Sequence, residues 1–172
     1  MAIGTTRLNG RAGVEMNITH YLAGDLSEGC EKVLLSAGSW AYGTGANAVN
    51  LIYAANISLA NAGPGAETLD LYAGALEEIF SRATMSMTAL KFLYIKNTST
   101  DAVLSVGGNS ANDLDIFTAT DNVLFINPGG TFLWTDPSAA GMDITTNKNL
   151  YLTHDGGGDD AVVVNVIAMG LD

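Results

Sequence analysis

Six short apolar runs, each closed by Gly, Asn, Asp or Pro, fill the second half of this chain: LKFLYIKN, AVLSVGG, NVLFINPGG, TFLWTDP, NLYLTHDGGG and AVVVNVIAMG. Runs of roughly four to eight residues rich in Val, Ile, Leu, Phe and Tyr between turn formers are what half-buried strands require. Their recurrence at roughly 10-residue intervals is the spacing of a sandwich or jelly roll. The pattern predicts an all-β fold, an antiparallel β-sandwich of jelly-roll-like form with an N-terminal extension.

The first half is read the same way. Val14, Met16 and Ile18 alternate with Glu15, Asn17 and Thr19, a second apolar run spans Lys32 to Ser36, and Val49 to Leu59 reads as one long or bulged strand. NAGPGA at 61–66 is a loop, Thr68 to Tyr72 a strand, and Ala75 to Phe80 a short helical turn. Continuous apolarity from Met85 to Ile95 predicts a central strand covered on both faces, bent near Thr88. The expected organisation is an N-terminal arm at 1–12 followed by one sandwich domain at 13–172. Pro128, Gly129 and Gly130 are expected to form a tight turn, because Pro presets φ and Gly adopts conformations closed to other residues.

Hydrophobic residues make up 48% of the 172 and charged residues 15%, which favours a chain that buries surface in neighbours. The net charge of −11 is uneven. Residues 97–172 hold ten acids, all Asp, against Lys148 alone. Nucleic acids and anionic membranes need clustered Lys and Arg, so neither is an expected partner. Asp without Glu is foremost a turn signature. Cys30 is the only cysteine, so no disulfide forms within one chain. The opening MAIGTTRLNGRAGVEMN has no apolar h-region, and no run of roughly 18 apolar residues occurs, so nothing is expected to direct secretion or membrane insertion.

Constellations that carry chemistry are weak. Gly43-Thr44-Gly45-Ala46-Asn47-Ala48 matches G-x-G-x-x-A, with Glu67 and Asp70 downstream, but a strand pattern follows where the dinucleotide mechanism needs a helix. His154, Asp155, Asp159 and Asp160 surround a Gly triplet; weak calcium binding and a plain solvated turn are both open there, with the turn preferred. There is no G-x-S-x-G, and Asp113 with Asp115 or Glu77 with Glu78 read as solvent-facing side chains. Cys30 beside Glu31 reads as an idle thiol, and Trp40 and Trp134 as core or interface residues rather than a sugar platform. The chain is therefore expected to be non-enzymatic, without cofactor or metal.

TGANAVNLIYAANISLA, AETLDLYAGALEE, ALKFLYIKNTSTDAVLSVGG, DNVLFINPGGTFLWTDPSAAGMDIT, NLYLTHDG and VVVNVIAMG occur in that order over about residues 44 to 170. Together they resemble a family of small virion-associated proteins of tailed bacteriophages. The best-matched pieces are Leu93 to Asn97 and Asn127 to Thr135, the latter a P-G-G hairpin in such relatives. The resemblance implies a head decoration, or cement, protein made in the host cytoplasm and carried on the phage head surface. Its implied partners are the major capsid protein and copies of itself, taken here as a homotrimer. Residues 1–43 lie outside the match. Arg7, Leu8 and Arg11 of the arm are the candidate capsid contacts. The alternative reading is a tail, fibre or baseplate component that binds a carbohydrate or receptor.

Overall fold

A computed structural model describes residues 9–20, 30–60, 65–73, 76–79, 81–108, 112–117, 122–154 and 161–172, with side chains from Trp40 onward. The described residues form twelve strands and one 3-10 turn. The chain divides into two compact units, Met1–Tyr42 and Gly43–Asp172.

In the first unit β1 (Asn9–His20) and β2 (Cys30–Tyr42) pair antiparallel in unbroken register from Asn9↔Ala41 to His20↔Cys30. The apolar run at Lys32 to Ser36 is thus the middle of a longer strand. β1 spans residue 12, and the two compact units part after Tyr42.

The second unit is an antiparallel sandwich. Its strands are β3 (Ala48–Val49), β4 (Leu51–Leu59), β5 (Ala66–Asp70), β6 (Ala89–Asn97), β7 (Leu104–Val106), β8 (Leu124–Ile126), β9 (Thr131–Thr135), β10 (Met142–Asp143), β11 (Asn149–His154) and β12 (Val162–Leu171). One sheet runs β10-β6-β12-β4, with β9 also on β6; the other runs β5-β11-β7-β8. Inward residues of both sheets share one core: Tyr53, Leu93, Ile95, Val164 and Val166 from the first meet Leu69, Leu104, Val106, Leu150 and Leu152 from the second. All six apolar runs of the second half become strands.

β6 is central, and seven of its nine residues are buried, as its continuous apolarity requires. The chain bends at Thr88, where the Thr88 N–H donates to the Leu171 carbonyl oxygen at 2.7 Å. Gly170 makes that junction feasible, because a Cβ there would lie 2.0 Å from the Ala89 carbonyl oxygen.

The helical turn expected at Ala75–Phe80 does not appear among its described residues. Glu77 bridges Thr84, and the Glu78 N–H donates to the Ala83 carbonyl oxygen at 2.9 Å. Six residues cannot repay helix nucleation, and a returning strand-like segment supplies the same backbone bonds. β10 and the 3-10 turn Asp115–Phe117 have no counterpart in the sequence pattern. Both are held by neighbours rather than by local periodicity: Met142 pairs with Leu90, and the Leu114 N–H leading into the 3-10 turn donates to the Asn149 carbonyl oxygen at 3.0 Å.

Candidate functional site

The chain crosses between the two sheets twice at one corner, from β6 to β7 and from β8 to β9. The second crossing is the Pro128-Gly129-Gly130 turn. Its Gly130 N–H donates to the Asn127 carbonyl oxygen at 2.8 Å, with Pro128 second and Gly129 third at φ +72°. That is the sequence logic of a type II turn. A hairpin is what the resemblance implies at this place, yet β8 pairs with β7 and β9 with β6, so the turn joins sheets rather than neighbouring strands.

Asn97 ties both crossings together. Fully buried at the end of β6, it donates through Nδ2 to the Ala102 carbonyl oxygen at 2.8 Å and to that of Ile126 at 3.0 Å. Its Oδ1 accepts the Ser99 N–H at 2.9 Å, and the Gly129 N–H reaches the Ser99 carbonyl oxygen at 3.1 Å. With each polar atom of the Asn97 amide partnered, the corner is rigid. Beside it Phe125 stands 67% exposed, next to the buried Ile126. An aromatic ring presented on a fixed corner can bind by shape and apolar contact. Asn97 is not among the residues singled out from the sequence; its signal is a polar residue closing an otherwise apolar strand before T-S-T-D.

Several of the acids hold turns. Asp136 accepts the Ser138 N–H at 2.9 Å, and Asp143 accepts both the N–H and the hydroxyl of Thr145 at 2.8 Å, which holds its carboxyl below the usual range. Asp115 accepts from the Asn147 amide at 2.6 Å. Burial raises the Asp70 carboxyl, but the Ala73 N–H, the Lys148 ammonium and the Tyr72 N–H outweigh it, and the net shift is downward. Lys148 lies 2.9 Å from Asp70 and over the Tyr72 ring. Glu78 corrects the solvent-facing reading: it is buried, and its Oε2 accepts the Ser81 N–H at 2.5 Å.

Lys91 is another residue with no sequence signal of its role. Phe92 pairs with Met169 and Leu90 with Gly170, so Lys91 is the extra residue of a β-bulge. It is fully buried and donates to the Gly45 carbonyl oxygen at 2.8 Å. Burial lowers its pKa, and the Asp136 carboxylate opposes that.

The remaining candidates are dispersed. Gly43–Ala48 is a turn with Asn47 at φ 53° that leads into β3 and β4, so it opens no helix for a pyrophosphate. His154 closes β11, buried, with Nε2 2.9 Å from the Ala60 carbonyl oxygen and 3.2 Å from the Gly65 nitrogen, so that it ties those two backbone positions together. Asp155, Asp159 and Asp160 fall outside the described residues, as do Arg7 and Leu8; Arg11 pairs by backbone with Ser39. Trp134 is half-buried against the core. Among the described residues no His, Cys, Asp or Glu group is arranged to hold a metal, and no helix is long and apolar enough to cross a membrane. No family model matches the chain, and neither a curated protein nor a solved structure shows significant similarity to it.

Proposed function

We propose that this chain is a non-enzymatic decoration protein of a tailed-phage head, binding the major capsid protein on the outer shell and stabilising it as a homotrimer. One observation carries the reading: the polar side chains described at the corner and in the Asp-rich turns are consumed in holding backbone, and what the corner presents outward is a rigid turn with an exposed Phe125. Such a surface suits attachment by many weak contacts rather than turnover of a substrate. The ordered resemblance over about residues 44 to 170 supplies the virion context, and the acidic C-terminal half would meet basic groups on the shell.

The test is the copy number of the chain in purified virions, measured by quantitative mass spectrometry against the major capsid protein. A simple fraction of the capsid copy number is the expected result. A few copies per particle would move the protein to the tail, and its absence would end the virion reading.

A further inference from the structure

β4 is an edge strand of nine residues, LIYAANISL, without a charge or a proline. The other edges of the two sandwich sheets are blunted. β5 carries Glu67 and Asp70, β8 has three residues and β10 two, and β9 runs into Asp136 and Pro137. A long uncharged edge offers a row of unpaired donors and acceptors to another strand.

Which groups face outward follows from the ladder. The Thr98 N–H donates to the Val163 carbonyl oxygen, so the backbone of Val163 turns toward β6 and its β4 partner Ser58 turns away from β12. The Ile79 N–H donates to the Ile52 carbonyl oxygen at 2.9 Å, which shows the same parity from the other end and covers the edge there. The open stretch is therefore Ala54 to Ser58, with the N–H and C=O of Ala54, Asn56 and Ser58 directed outward. Asn56 and Ser58 are exposed. These six groups are symmetric about Asn56.

We infer that β4 pairs with β4 of a second copy, antiparallel, on a twofold axis through Asn56. Asn56 would face its own symmetry mate as a hydrogen-bonded pair, and Ala54 would face Ser58 of the other copy twice over, so that each of the six outward groups finds a partner. A register shifted toward Ile52 is blocked by the Ile79 segment. On the core side the same register sets Tyr53 against Leu59 and Ala55 against Ile57, apolar pairs that continue the sheet face. Two chains of −11 repel overall, but this edge brings no ionised side chain to the contact, so the pairing adds no like-charge contact of its own. The contact is isologous and closes at two copies, so it goes beyond the proposed threefold clamp and would join protomers of neighbouring clamps.

Cysteine cross-linking of the full chain in solution tests the register. In a Cys30→Ser background, Asn56→Cys places two thiols on Cα atoms about 5.5 Å apart, within disulfide reach. Ser58→Cys places them about 14 Å apart, out of reach. Under mild oxidant Asn56→Cys is expected to give a covalent dimer on a non-reducing gel at least about tenfold faster than Ser58→Cys. The double variant Ala54→Cys/Ser58→Cys is expected to cross-link where each single variant does not, which keeps the test valid if position 56 tolerates no change. Equal rates for the two single variants, or no dimer from either Asn56→Cys or the double variant, would overturn the twofold. The readout needs no capsid and no trimer, so it stands apart from the copy-number test.

Discussion

At the scale of single residues, backbone conformation and hydrogen-bond satisfaction decide which positions matter. Gly129 has open space around a would-be Cβ, so its requirement is φ +72° and nothing else. Gly129→Ala is expected to cost about 1–2 kcal/mol by urea unfolding, because L residues resist that region, and Gly129→Asn to recover part of it. An Ala variant as stable as the parent would refute the turn geometry. Gly130 is constrained differently, since a Cβ there would sit 2.8 Å from the Asn127 carbonyl oxygen. The need for this turn is legible in Pro-Gly-Gly itself; the burial of Asn97 beneath it is not, because it depends on two carbonyls that arrive from residues 102 and 126.

At the scale of elements, polar clips fasten strand ends. The Asp70 cluster fixes the end of β5 to Lys148, just before β11. Its carboxyl is held below its unfolded value of about 3.9, so its contribution is complete above that value and is lost as pH falls through the lower folded one. Asp70→Asn keeps an acceptor for the two N–H groups but loses the charge. It is expected to cost about 0.5–1 kcal/mol at pH 7 for this partly exposed pair, with the gap to the parent closing as pH falls below about 4. Denaturant melts at stepped pH would show it, and a gap constant down to acid pH would contradict the assignment. Strand existence was legible for the long, periodic runs. The helical turn at Ala75–Phe80 was misread because Ala, Leu and Glu propensity is weak against backbone partners offered by Ala83 and Thr84.

At the scale of the whole molecule, the core cluster found among the residues whose side chains are described runs from Tyr53 to Ala168, all in the second unit. A fragment of residues 43–172 is therefore expected to fold alone, with a cooperative thermal transition and near-ultraviolet dichroism from its aromatic residues. A molten fragment would show that the first unit is needed to complete the core. Residues 1–42 bring a two-stranded ladder, and a lone two-stranded hairpin is marginal in water.

The sequence alone determined the class of fold, because strand periodicity and turn residues act locally: alternation, Gly, Pro and Asp dictate where the chain extends and where it reverses. It also determined that β6 is central, since a strand covered on both faces must be apolar throughout. Only the tertiary structure decided that Pro128-Gly129-Gly130 crosses between sheets, that the bulge at Lys91 buries a cation, and that β4 is left as an uncharged edge. Pairing partners lie far apart in the chain, as Leu51 and Gly170 do, and no local pattern encodes which strand lies beside which.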